Sequence, residues 1–156
     1  HGMTYRSGML SRLAMGKLNR KIADPPSVFS WLTRDQHIVE LYQSDSKCNF
    51  VFTATGFRDL FTLVYRANNA RCFRGTPHEL PLLLISGDKD PIGGYGDGVR
   101  NVARMYHAAG QQDVDVIFYK DARHEILNEL NHLDVFGDVS RWLESHLAVK
   151  EPDASA

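Results

Sequence analysis

At 156 residues, with 43% hydrophobic and 24% charged side chains, the chain is long enough for one domain with a real core and has an ordinary globular composition. A net charge of −1, with Lys and Arg scattered, gives no basic footprint for nucleic acid or an anionic membrane surface, and no apolar run approaches the ~20 residues that would anchor it in a bilayer. Cys48 and Cys72 form neither a C-x-x-C pair nor a disulfide framework, which points to a reduced, cytoplasmic setting.

In chain order, Met9, Leu10, Leu13 and Ala14 recur at helical spacing among basic residues and predict a short amphipathic helix within residues 4–22. Asp24-Pro25-Pro26-Ser27 breaks it, because the prolines remove donors and push the preceding residues out of the α region. Thr33, with Gln36 three residues on, reads as the N-cap and capping box of a helix over 36–43. Phe57, Leu60, Phe61, Val64 and Tyr65 fall on one face of a second helix. The first half also concentrates aromatics: Phe29, Trp31, Phe50, Phe52, Phe57 and Phe61 form either a small aromatic core or an apolar mouth over a greasy substrate.

Around residues 74–81 the texture changes. Leu82 to Ile85 is a continuous apolar run, the pattern of a parallel strand buried on both faces. A glycine-rich turn follows, then a helix with Val99, Val102, Ala103 and Tyr106 on one face, stopped by Gly110. Val114, Val116 and Phe118 alternate as a second strand, and Val135, Val139, Trp142, Leu143, His146 and Leu147 mark a last helix. The order strand, helix, strand, helix predicts an α/β fold with parallel strands, in which chemistry gathers at the carboxyl ends of the strands. The chain thus divides into a mostly helical segment (1–75), an α/β portion (76–148) and a polar tail (149–156).

Two ionisable groups fall in the turns after these strands. Asp90 lies in Gly87-Asp88-Lys89-Asp90-Pro91, and His124 in Lys120-Asp121-Ala122-Arg123-His124-Glu125. A histidine in a turn is commonly a surface or capping residue, but a carboxylate in the neighbouring turn can take its Nδ1 proton and fix the tautomer for general-base work. Asp88 competes with Asp90 for that role, although its place at the strand end suits a bond to the backbone of its own turn. Residues 93–98 fit neither the dinucleotide nor the P-loop glycine pattern. His124-Glu125 fails as a zinc motif because Asn128 stands at the second ligand position, and His37, His78, His107, His132 and His146 have no matched partners.

The runs Gly87-Asp88-Lys89-Asp90-Pro91 and Arg123-His124-Glu125-Ile126-Leu127-Asn128-Glu129 resemble the α/β-hydrolase branch that holds monoacylglycerol lipases and bacterial lysophospholipases, the serine aminopeptidase-like hydrolases. Tyr5-Arg6-Ser7, Gly16-Lys17-Leu18-Asn19, Trp31-Leu32-Thr33-Arg34-Asp35 and Cys48-Asn49-Phe50-Val51-Phe52-Thr53 resemble the lid of those proteins, so the resemblance runs roughly from residue 5 to residue 147. It implies the C-terminal portion of an α/β-hydrolase fold, preceded by a mostly helical lid. Asp90 is then the triad acid and His124 the base, with an acyl-ester substrate, no cofactor and no metal. Trp31, Phe50, Phe52 and Phe57 are the expected substrate-facing lid residues. None of the serines, from Ser7 to Ser155, lies in a G-x-S-x-G elbow, so the nucleophile is expected upstream of residue 1. The chain alone is then expected to be inactive, with a sheet edge open to self-association. The other reading is a non-catalytic module that binds an acyl ligand or a partner chain.

Overall fold

In the computed structural model, which describes residue 2 and residues 4–147, the second half of the chain is built on two parallel strands. The tail expected at 149–156 lies outside the described residues. Strand β1 (Leu82–Gly87) pairs with β2 (Val114–Tyr119) in a register running from Leu82 opposite Val114 to Gly87 opposite Tyr119. Helix α5 (Asp97–Ala108) makes the crossover, and α6 (His132–Leu147) follows β2. α5 stops where expected: Gly110 adopts φ +103° just beyond it, which lets the chain turn back toward β2. The core centre is Tyr119, Ala122, Ile126 and Val135, with Ile85 and Ile117 packed against it.

The run expected to be buried on both faces is not. Only Ser86 and Gly87 of β1 are buried, and Leu82–Ile85 are half-exposed, because β2 is the one strand beside β1 among the described residues. An apolar run reports what a strand prefers, whereas its burial depends on neighbours it does not itself specify.

The first half is helical: α1 (Gly8–Met15), α2 (Gln36–Ser44), α3 (Ala54–Ala67) and the short α4 (Ala70–Arg74). α1 is capped by Ser7 and α3 by Thr53, whose hydroxyl accepts from the Gly56 N–H at 3.0 Å. The cap of α2 is Asp35 rather than Thr33. The Asp35 carboxylate accepts from the N–H groups of His37 and Ile38, and its charge favours it at a helix N-terminus. Thr33 is committed elsewhere, donating its hydroxyl to the Asn128 carbonyl at 2.9 Å. The five-residue α4 carries no readable periodicity, and its local signals are the caps Asn69 and Gly75. Residues 5–6 and 53–54 meet, through an antiparallel bridge between Arg6 and Thr53 and the Ala54 N–H donated to the Tyr5 carbonyl at 2.8 Å.

The β1 exit and the turn after β2 touch at the backbone. A Cβ on Gly87 would lie 2.1 Å from the Ala122 oxygen and 2.3 Å from the Arg123 oxygen. Gly87→Ala is therefore expected to cost about 1–3 kcal/mol or more, by forcing the turn that carries His124 off the strand end. The denaturation midpoint measures it, and a variant as stable as the parent would show that the two turns are not in contact.

Candidate active site

Asp90 and His124 are brought together by the parallel register. Beyond the strand ends, the Asp88 N–H donates to the Tyr119 carbonyl at 3.1 Å and the Lys89 N–H to the Ala122 carbonyl at 2.9 Å, so the two turns run side by side. Asp90 is 6% exposed, and its Oδ1 accepts from the Ile92 N–H at 2.8 Å and from His124 Nδ1 at 3.1 Å. A carboxylate only accepts, so Nδ1 carries the proton and Nε2 keeps its lone pair when the ring is neutral. The hydrogen bond to Asp90 raises the His124 pKa above its usual 6.5, with burial pulling the other way and the charges of Asp90 and Glu125 adding to the rise.

Asp88 goes elsewhere, though not to its own turn as expected. Its Oδ1 accepts from the Asp121 N–H at 2.8 Å in the neighbouring turn, and its Oδ2 lies 3.2 Å from Lys89 Nζ. It helps to join the two turns and leaves Asp90 alone on the imidazole.

The turn carrying His124 is also bound to the first half. The His124 N–H donates to the Trp31 carbonyl at 3.4 Å, and the Glu125 N–H to the Leu32 carbonyl at 2.7 Å. Beneath them the Glu129 side chain is fully buried, its Oε2 2.8 Å from Arg34 Nε. It accepts further bonds from the N–H groups of Arg34, Arg123 and Leu130. The Arg123 guanidinium donates to the Ser30 and Thr33 carbonyls, and burial lowers its pKa, partly offset by the Glu129 charge. Sequence reasoning gave Glu129 and Arg34 no role. The available signal was a carboxylate set among Ile126, Leu127 and Leu130, where an unpaired charge is costly to bury.

Trp31, Phe50, Phe52 and Phe57 line one cavity of about 410 Å³, together with Phe29 and Tyr42. Phe57 is 2% exposed and so belongs to the packing as well as to the wall. The rings form a row, with centroids 5.1 Å apart for Phe50 and Phe52 and 5.5 Å for Phe52 and Phe57. The Trp31 ring of this wall lies 5.3 Å from the His124 ring, so Trp31 stands between the cavity and the imidazole.

His146, without a partner in the sequence reading, sits with its Nε2 3.2 Å from Asp113 Oδ2. With Asp115 these residues form a group of metal-ligand types, but Asp113 and Asp115 are exposed, and Asp115 already accepts from Trp142 Nε1 at 2.8 Å. The Trp142 ring lies tilted against His146 with centroids 4.1 Å apart.

Parallel strands with flanking helices, and an acid and a histidine in the turns at their carboxyl ends, define an α/β-hydrolase architecture. Residues 5–131 match the serine aminopeptidase, S33, family, and the chain belongs to that family. Among solved structures it is similar to a highly thermostable carboxyl esterase from Bacillus coagulans, with TM-score 0.74 and 26% identity over 92% of this chain and 46% of that one. It is also similar to a lipase in its open form, with TM-score 0.80 and 22% identity over 90% of this chain and 46% of the other. A soluble variant of monoglyceride lipase from Saccharomyces cerevisiae gives TM-score 0.58 and 17% identity over 92% and 53%. The last two likenesses carry the fold alone. The chain spans about half the length of these solved structures, and no curated protein sequence matches it.

The raised His124 pKa means that folding holds the imidazolium more tightly than the unfolded chain does. Its contribution to stability is therefore fully present below pH 6.5 and is lost as pH rises through the folded-state value. Asp90→Asn is expected to bring the His124 pKa down, and to cost more stability at pH about 5 than at about 9, once the separate loss of the Ile92 bond, common to both, is subtracted. An NMR titration of the ring and denaturation at the two pH values check this, and an unmoved pKa would dissociate the pair.

Proposed function

We propose that this chain carries the acid and base of a serine ester hydrolase of the lysophospholipase or monoacylglycerol lipase type, with the nucleophile supplied from outside residues 1–156. The observation that supports it is the placement of His124, hydrogen-bonded to Asp90 on one side and against Trp31, a wall of the aromatic cavity, on the other. In this reading a serine Oγ attacks the ester carbonyl while His124 Nε2 takes its proton, then returns the proton to the departing alcohol. Water, activated by the same nitrogen, next cleaves the acyl-enzyme, and Asp90 holds Nδ1–H throughout. Trp31, Phe50, Phe52 and Phe57 receive the acyl chain, as expected of a small-molecule site in an apolar cleft of this size. The first segment, residues 1–75, acts as the lid, and residues 76–148 as part of the hydrolase core. Unpaired Cys48 and Cys72 suit a reducing, cytoplasmic setting. No helix among the described residues is long and apolar enough to cross a membrane.

A second reading is favoured by one observation. The sheet holds β1 and β2 alone among the described residues, so each strand presents a free edge. Such an edge accepts an added strand, and a non-catalytic module could bind a partner chain or a second copy there.

A fluorophosphonate probe tests the first reading, applied to residues 1–156 and to the protein expressed with its upstream coding sequence. Labelling of the longer form alone is expected, with His124→Ala lowering ester turnover about a thousandfold or more. Labelling of residues 1–156 alone would place the nucleophile among its own serines, and labelling of neither form would favour the binding module. In the active form, Trp31→Ala is expected to raise KM for long-chain esters about tenfold more than for acetyl esters, the effect of lost apolar contact. An equal change for both would remove Trp31 from the acyl site.

A further inference from the structure

The base does not rest on its own strand. His124 lies five residues past the end of β2, in a turn whose main chain is held by the first-half segment through the Trp31 and Leu32 carbonyls. The most heavily used tie on that segment is one buried carboxylate, beside the Arg123 guanidinium's bonds to the Ser30 and Thr33 carbonyls. Glu129 Oε1 accepts from the Arg34 N–H at 3.1 Å and from the Arg123 N–H at 2.8 Å, while Oε2 accepts from Arg34 Nε at 2.8 Å and the Leu130 N–H at 3.1 Å. Two of these donors belong to Arg34, three residues beyond Trp31, and one belongs to the residue immediately before His124. We propose that Glu129 is the positioning residue for His124: its buried carboxylate locks the Arg123–His124 turn to the Trp31–Arg34 segment and so fixes the imidazole between Asp90 and the cavity wall.

The chemistry of the side chain narrows the role. Glu129 is 0% exposed and none of its four bonds goes to the imidazole, so it neither exchanges protons with substrate nor pairs with the base. Its two oxygens are each used twice, by donors from both halves of the chain. A glutamine has one accepting oxygen, and its amide hydrogens would face other donors. An aspartate falls short by one methylene. Around the carboxylate, Thr33 donates to the Asn128 carbonyl, Arg34 Nη2 to Asn131 Oδ1 at 2.8 Å, and the Arg123 guanidinium to the Ser30 and Thr33 carbonyls, so the same two segments are joined at several neighbouring points. The consequence is mechanical: Trp31 and the base move as one body, and a displacement of either is transmitted to the other.

This inference rests on the reading of His124 as general base, and the experiment separates the two. Glu129→Gln is made in the longer, probe-labelled form and assayed at a temperature where circular dichroism shows it folded. The expected result is a kcat at least tenfold lower with KM for an acetyl ester within about threefold, because geometry at the base is lost while an acetyl group makes little use of the acyl cavity. The acid limb of kcat/KM also moves to lower pH, since the bond to Asp90 is what raises the His124 pKa. A purely structural tie would lower the melting temperature and leave kcat and the limb unchanged, and that result overturns the proposal. Should Glu129→Gln not fold, Arg34→Lys keeps the charge and the main-chain N–H but cannot reproduce the planar pair of side-chain bonds from Nε to Glu129 and Nη2 to Asn131, and the same criteria apply to it. If the parent form neither hydrolyses esters nor takes the probe, the catalytic reading fails by itself. The His124 Nδ1–H resonance then decides, its loss in the variant supporting the positional tie and its retention overturning it.

Discussion

A carboxylate with no access to water must find its partners inside the protein, and the position of Glu129 imposes that condition on half of this structure. Removing one member of a buried ion pair commonly costs ~3–5 kcal/mol, because the other is left without compensation. Here the partners come from sequence positions more than ninety residues apart, so satisfying the charge and assembling the site are one event. Such a group can serve specificity of arrangement as much as stability, since a displaced Trp31–Arg34 segment would leave a buried negative charge unpaired. The Arg123 guanidinium works to the same end from the other side, donating to carbonyls of the first-half segment.

On this base the parallel pair of strands does the remaining positioning. β1 and β2 deliver their turns in register, and Gly87 allows the two backbones to approach more closely than any side chain would permit. Asp88 stitches the turns together from one side, which leaves Asp90 free to face His124. The division of labour between two aspartates two residues apart follows from where each emerges: one at the strand end beside the next turn, the other further out under the imidazole.

The sequence displayed whatever depends on local pattern. Both strands, α5 with its glycine stop, and the helix α3 were legible because periodicity is a property of neighbours along the chain, although of the apolar face of α3 only Phe57 is buried and Phe61, Val64 and Tyr65 are exposed. Asp90 and His124 were legible because each follows a strand, and their runs resemble those of a hydrolase branch. What stayed hidden depends on partners distant in sequence. Thr33 looks like a cap until Asn128 takes its hydroxyl, whereupon Asp35 caps α2 instead. The half-exposure of Leu82–Ile85 and the fourfold use of Glu129 have the same origin, since neither is written in the residues adjacent to them.

The contact between Trp31 and His124 has a consequence for light as well as for chemistry. An indole beside an imidazole loses fluorescence when the imidazole becomes cationic, so the ring against His124 is a built-in optical reporter of the proton on the base. The other tryptophan, Trp142, lies tilted against the His146 ring with centroids 4.1 Å apart, near the end of α6, and its emission is a separate signal. With Trp142 exchanged for phenylalanine, the emission of a single residue would follow the protonation of His124 in real time, without substrate and without any added dye.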